Sequence, residues 1–545
     1  MSLFAVELVV ELLVIATVVA VLAKYFRVPY TVFLVLVGLG ISLLKYSDVE
    51  FLQILTRPVL SEDLILLIFL PPLLFEGTIN MDLEILRRHA APVAVLALFG
   101  TFVATALMGL SLYLVFGLAV AGALLIGAIL APTDPVSVLA VFKEEGVNKN
   151  LSTLVEGESV FNDGIAVVLF LIFRDLVTQA QPVSLEHCLL EFLREILIGG
   201  GIGIAFGYVA HRVMGRIDHR FTETMLSVAL AYGVYVVAKH AHASGVIAVV
   251  AAGLIIGNYG KILSMSPTTR LALTNFWEIA AFMVNSILFL LMGMACEPDQ
   301  LLHHWHVIAV AFLVMVVGRS VIIYGAFALL NRIRRPVPTS WQHIINWGGL
   351  RGSIPVALVL GIPADLQIEM AGGVLTCADV TQIIFGVVVL SLLIQGLTIG
   401  KLLAKLGFGK LPLCVREYEL LRGRTISLKA GAESLAELRQ RGEVSERVYE
   451  SIHGELDKEL QTLQDSTTSL LNQHTELNDT EFRKVADSLL LTQRAALEDA
   501  FRQGLLSEEA MEKLVQDVDA KLASHGSPFY AEWEIDDVPD LKGDS

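Results

Sequence analysis

Charge is scarce in this chain and unevenly spread. Of its 545 residues 17% are charged and 55% hydrophobic, against about 25% and 45–50% in a soluble globular chain. From Met1 to Lys410 there are 24 Lys and Arg against 27 Asp and Glu; from Leu411 to Ser545 there are 15 against 28. A membrane body is joined to an acidic, water-soluble tail. Neither part carries a basic stripe, which excludes a nucleic-acid binder. Cysteine is nearly absent: Cys188, Cys296, Cys377 and Cys414 have no C-x-x-C spacing, so they encode neither a disulfide scaffold nor a zinc site. A signal peptide is missing too, because Glu7 and Glu11 interrupt the first apolar segment and further segments follow. That first segment is expected to stay in the mature protein.

Long apolar runs are plentiful. A helix needs about 20 mostly apolar residues to span hydrocarbon, and runs without strand-like alternation favour helices over a barrel. Thirteen spans are read, at 5–24, 29–45, 62–77, 91–116, 119–142, 154–177, 188–213, 222–240, 243–258, 275–296, 305–330, 340–361 and 378–406. Several are short or interrupted, and twelve is the other count. With the N-terminus outside, 17 Lys and Arg fall in inside connections and 5 in outside ones. That bias predicts an odd number of crossings and a cytoplasmic tail.

Charges left inside spans face a bundle interior or a water-filled cavity and are functional candidates. Span five places Thr133 and Asp134 between Pro132 and Pro135, which should break the helix and free carbonyls. Span six carries Glu158, Ser159, Asn162 and Asp163 in one sector of about 140°. Span twelve surrounds Arg351 with Gly348, Gly349, Gly352 and Pro355 and reads as a second broken helix. Broken segments in matching positions of two halves are the sequence pointer to a transporter site. Span three adds Glu76 after Pro71 and Pro72, span eleven adds Arg319, and span ten adds Glu278 and Asn285.

Carboxylate, hydroxyl, amide and freed carbonyl oxygens suit a hard cation, and no His or Cys cluster offers a transition-metal site. A carboxylate in low dielectric resists standing bare. Asp163 can therefore hold either a proton or a small monovalent cation, in competition. Asn162 cannot be protonated, so the pair contributes one titrating charge, and Arg351 needs a partner, for which Glu158 is the obvious choice. The expectation is electroneutral one-for-one exchange of Na+ or Li+ for H+, with no cofactor beyond the transported ions. K+ is left open as the substrate. A proton-uncoupled cation channel is the reading from another class, and an enzyme is not expected.

At these residues the sequence resembles the NhaP-type sodium/proton antiporters of the monovalent cation:proton antiporter-1 family. TDPVSVLAVF at 133–142, EGESVFNDG at 156–164 and GGLRGS at 348–353 carry the match, with LPPLLFEGT at 70–78 in support. The resemblance covers about 1–410 and implies Asp163 as the exchanging carboxylate. It implies Thr133, Ser159, Glu76 and the Asp134 backbone carbonyl as further ligands or near neighbours, with Na+ at Asp163, Thr133 and Ser159. Asn162 and Thr133 would tie the site's halves together, Glu158 and Arg351 would form a structural ion pair, and Arg319 would be the second arginine. Asn285 matches the prokaryotic pattern and is not expected to act in exchange. The resemblance further implies an all-α fold of two inverted six-helix repeats with broken crossing helices. It implies a homodimer in the plasma membrane, and a moving core at about 91–177 and 305–406.

The tail reads as a cytoplasmic helical domain at 411–525, followed by a disordered stretch at 526–545. One repeat is visible: Ser445, Glu446, Glu450, Asp457 and Leu460 correspond to Ser507, Glu508, Glu512, Asp519 and Leu522, each 62 positions on. Duplicated helical hairpins with Ser caps follow. The module binds an unknown regulatory ligand or serves folding and dimerisation. His303, His304 and His306 lie in an outside loop beside Trp305, as pH sensors, metal ligands or interfacial residues.

Overall fold

The computed structural model describes residues 3–26, 29–44, 62–81, 83–135, 138–139, 141–142, 147, 149–179, 184–217, 219–260, 265, 267–333, 337–408, 413–473, 489–490, 492–493, 496–497, 499–501 and 505–523. The chain divides into two compact units, Met1–Lys410 and Leu411–Ser545.

The first unit is helical, as its apolar runs require: in hydrocarbon the backbone must be satisfied within the segment. In chain order come α1 (Leu3–Phe26), α2 (Tyr30–Leu44), α3 (Glu62–Ile79), α4 (Leu83–Arg88), α5 (Ala90–Phe116), α6 (Val120–Leu130), α7 (Lys149–Thr178) and α8 (Leu185–Met214). They are followed by α9 (Arg220–His240), α10 (Gly245–Gly260), α11 (Pro267–Ala295), α12 (Pro298–His303), α13 (Trp305–Ile333), α14 (Thr339–Trp347), α15 (Ser353–Leu360) and α16 (Cys377–Lys405). Among the described residues, α5, α9, α11, α13 and α16 are each long and apolar enough to cross a bilayer, and α2, α3, α6 and α10 are shorter apolar helices.

Small residues bring these helices into backbone contact, on which helix pairing in lipid rests. Gly199, Gly203 and Gly207 of α8 lie on Ser244, Ala248 and Ala252. A Cβ added at Gly199 would stand 2.6 Å from the Ser244 carbonyl oxygen. Gly38 of α2 and Gly293 of α11 meet in the same manner. Each would bring a Cβ within 2.8 Å of the other's Cα.

Pro71 and Pro72 sit inside α3 without ending it. Pro72 offers no N–H to the Ile68 carbonyl. The Tyr232 hydroxyl of α9 donates to that oxygen instead, at 3.2 Å. Two other helices do stop among apolar residues: α6 at Leu130, before non-helical Ala131–Pro135, and α14 at Trp347, with α15 starting at Ser353. Between α15 and α16 the sequence pattern gives no strand, yet a hairpin forms from β1 (Gln367–Met370) and β2 (Gly373–Thr376). It docks on the α5–α6 corner, where Ala119 N–H donates to Glu369 O at 2.8 Å and Ala371 N–H to Gly117 O at 3.1 Å.

The second unit holds α17 (Leu413–Gln440), α18 (Glu446–Gln473) and α19 (Glu508–Ala523). α17 and α18 turn back on each other through Gly442, whose φ of 74° suits glycine. Tyr418 and Leu470 are buried in their seam. α18 and α19 start directly after Ser445 and Ser507, the aligned serines of the repeat. Each serine carbonyl accepts the N–H four residues on, from Tyr449 and Met511, at 2.9 Å. The stretch 526–545 lies outside the described residues.

Candidate ion site

A buried carbonyl that has lost its helical partner must find another. Those of the first break are taken by side chains from elsewhere. Ala131 O and Pro132 O accept from Arg351 Nη1 at 2.6 and 2.8 Å. Thr133 O accepts from the Ser159 hydroxyl in a short contact. Asp134 N–H donates to Leu350 O at 2.8 Å, so each broken segment completes the other. Glycine permits that approach: a Cβ at Gly352 would collide with the Asp134 carboxylate, and one at Gly349 with the Arg319 guanidinium.

α7 turns its polar stripe into this junction, and Glu158, Ser159, Asn162 and Asp163 are all buried. The Asn162 amide is fully used. Its Nδ2 donates to Thr133 Oγ1 at 2.8 Å and to Glu158 Oε1 at 2.9 Å, and its Oδ1 accepts from Thr133 N–H at 3.3 Å. Asp163 differs from its neighbours. Its Oδ1 is buried and has no hydrogen-bond partner among the described residues.

The expected Glu158–Arg351 pair is corrected by the geometry. Arg319, from α13, closes on Glu158 with Nη1 at 3.2 Å from Oε1 and Nη2 at 3.0 Å from Oε2. A guanidinium fork matches a carboxylate in this two-point fashion. Arg319 also donates to the carbonyls of Ile345 and Asn346 at 2.9 and 3.3 Å, holding the end of α14. Arg351 spends its Nη1 on the Ala131 and Pro132 carbonyls, and its buried Nε has no partner among the described residues. A cavity of about 30 Å³, room for roughly one or two waters, touches Glu158, Asn162, Arg319 and Arg351 on one side and apolar residues of α5 and α13 on the other.

Glu76 stands on α3, half-buried, with Oε1 accepting from Asn80 at 3.2 Å. Its helix meets α7 where Gly77 faces Val160. Asn285 of α11 has a buried Oδ1 without a partner among the described residues, while Glu278 of the same helix is exposed. Two residues of the junction were missed by sequence reasoning. Ser391 Oγ accepts from Arg351 N–H at 3.1 Å, and Gln395 Nε2 donates to Trp347 O at 3.4 Å. Two polar residues four apart, on one face of the apolar middle of the span, were the available signal. Of the three clustered histidines, His303 and His306 are exposed. His304 Nε2 lies 3.0 Å from Oδ1 of Asp379, which also closes the capping box with Thr376 at the start of α16. No group of three metal-ligating residues occurs among the described residues.

Residues 12–405 match the family described as sodium/hydrogen exchanger, transmembrane. The chain belongs to the sodium/hydrogen exchanger family. As a member it is a multi-pass membrane transporter and not an enzyme. This exchanger is 35% identical over 500 residues to the Na+/H+ antiporter NhaG of Bacillus atrophaeus, covering 90% of this chain and 92% of that one. It is 40% identical over 389 residues to the Na+/H+ antiporter ApNhaP of Aphanothece halophytica, covering 71% of each. In fold it is similar to the sodium proton antiporter MjNhaP1 of Methanocaldococcus jannaschii. The TM-score is 0.59 at 21% identity, over 74% of this chain and 98% of that one.

Proposed function

We propose that this exchanger moves one Na+ against one H+ by alternating access, with both ions competing for Asp163. The observation that carries the reading is the buried Asp163 Oδ1, which has no hydrogen-bond partner among the described residues. Beside it on the same helix stands Ser159, bonded to the Thr133 carbonyl. Carboxylate, hydroxyl and carbonyl oxygens are what a hard cation takes. Thr133, Ser159 and Asp163 would hold Na+, with the Asp134 backbone and Glu76 near it and Asn162 fixing Thr133. Relatives that share much of the chain are named Na+/H+ antiporters, which supports sodium as the substrate.

Charge balance supports the one-for-one ratio. Arg319 and Arg351 stand against Glu158, Asp134 and Asp163 in the buried cluster, with the half-buried Glu76 outside the count, which leaves a single negative charge. Either one proton or one Na+ cancels it. An ion left bare in low dielectric costs several kcal/mol, so the empty carrier would not cross. No cofactor enters this cycle.

The whole-chain architecture belongs to the same proposal. Thirteen crossings in two inverted six-helix repeats put the N-terminus outside and the acidic helical domain in the cytoplasm, supported by the Lys and Arg bias. The working form is a homodimer in the plasma membrane, with the core at about 91–177 and 305–406 moving against the rest. The test is reconstitution in vesicles with a trapped pH dye. Adding Na+ or Li+ should drive proton movement; a response to K+ alone would change the substrate and keep the site.

A further inference from the structure

Both broken helices are held at their ends, but the second is held by side chains that no motif marks. α16 contains a π-helical turn, Leu392–Gly396, in an otherwise apolar helix. Two further π turns, Val95–Gly100 and Ile256–Gly260, occur among the described residues, so it is the buried polar pair at this one that sets it apart. Ser391 and Gln395 flank and occupy it, buried at 0% and 2% exposure. They are bonded to each other, Ser391 Oγ donating to Gln395 Oε1 at 2.7 Å. Both side chains also bond backbone atoms of the second break. Ser391 receives the Arg351 N–H, and Gln395 gives its amide to the carbonyl of Trp347, the last residue of α14. The pair thus spans Trp347–Arg351, across Gly348 and Gly349. Arg351, whose main chain Ser391 holds, reaches from that point to the Ala131 and Pro132 carbonyls.

We propose that Ser391 and Gln395 are positioning residues for cation binding, fixing the second break so that the carbonyls of the first are shared out correctly. With Arg351 anchored, it satisfies Ala131 and Pro132 and leaves the Thr133 carbonyl to Ser159 and the cation. Without the anchor, Arg351 can drift along the row of carbonyls and compete for Thr133. A cation needs several oxygens placed together, whereas a proton needs only the Asp163 carboxylate. Loosening the pair therefore weakens Na+ and spares H+, which tilts the competition toward the proton. This inference rests on the exchange reading above.

The test uses full-length protein in vesicles, with Ser391→Ala, Gln395→Met and the hydroxyl-keeping Ser391→Thr. The expected result is an apparent Na+ KM raised about tenfold in Ser391→Ala and Gln395→Met, with maximal rate within about twofold of the parent. Their activity optimum should also move toward higher pH, where fewer protons compete. Ser391→Thr should recover most of the parent KM. Unchanged KM in Ser391→Ala, a loss confined to maximal rate, or no rescue by Ser391→Thr would overturn the proposal. Na+-dependent thermal stabilisation in detergent gives a second readout that needs no transport: the two apolar variants should need about tenfold more Na+ for the same stabilisation. Variants that fail to assemble in detergent, Ser391→Thr among them, would mark the pair as a folding element and overturn it too. Asp163→Asn is run alongside. If it still exchanges, the site assignment itself has failed, whatever Ser391 does.

Discussion

Arg319 and Glu158 close on each other through two parallel contacts of 3.2 and 3.0 Å, both side chains buried or nearly so. That pairing divides the labour of the two intramembrane arginines. Arg319 neutralises the carboxylate and caps α14, while Arg351 is free to serve the carbonyls of the opposite break. The ion pair holds the frame, and Asp163 is left outside it.

Arg319→Lys should destabilise the protein strongly. An ammonium cannot bridge both oxygens of Glu158 and also reach Ile345 and Asn346. Lysine keeps the charge and loses the two-point geometry, so the cost stays below the roughly 3–5 kcal/mol of removing a partner from a buried pair outright. Thermal unfolding in detergent checks this, and a melting temperature equal to the parent's would argue that Glu158 has another counter-charge. Arg351→Lys should leave that pair intact and act through the first break instead.

Gly352→Ala and Gly349→Ala should each abolish transport, because the added methyl meets the Asp134 carboxylate or the Arg319 guanidinium. Overpacking of a tight interior costs about 1–3 kcal/mol even where neighbours can yield. Gly233→Ala is the control, since a Cβ there meets nothing within 4 Å. Transport in vesicles should survive only in the control; full activity in Gly352→Ala would mean that the two breaks do not meet as described.

How far the sequence spoke depends on the residue. The break between Pro132 and Pro135 was legible because proline removes a donor wherever it stands. The stripe from Glu158 to Asp163 was legible because helical period alone puts those residues on one face. The choice of Arg319 over Arg351 as partner to Glu158 was not. Both arginines are cations on apolar spans, and only the reach of the Arg319 side chain from α13 to Glu158 on α7 decides between them. Ser391 and Gln395 were passed over because serine and glutamine on a long apolar helix are common and uncharged. The hairpin at Gln367–Thr376 escaped because its strands are four residues long and draw their register from the α5–α6 corner.

Thr133→Val should raise the Na+ KM and lower stability together. It removes the hydroxyl that accepts from Asn162 Nδ2 and leaves that buried donor short of a partner, at a cost of about 1–3 kcal/mol. Thr133→Ser keeps the hydroxyl and should behave nearly as the parent. Kinetics of both variants in vesicles decide it; equal behaviour of Val and Ser would remove Thr133 from the site.

Exchange should ignore membrane voltage. One negative charge in the cluster is cancelled by either cargo, so no net charge moves in a cycle. Imposing a potential with valinomycin and K+ during Na+-driven runs should leave the initial rate unchanged. A rate that follows the sign of the potential would require a second titrating group.

The most direct measurement is Na+-driven proton movement in vesicles containing parent protein or Asp163→Asn. Asparagine keeps the size of the side chain and gives up the charge that both ions need. The account predicts robust, saturable dequenching of the pH dye for the parent and none for Asp163→Asn, although the variant folds and melts at least as high as the parent, since a buried charge has been removed. Retained exchange in Asp163→Asn would contradict the account at its centre.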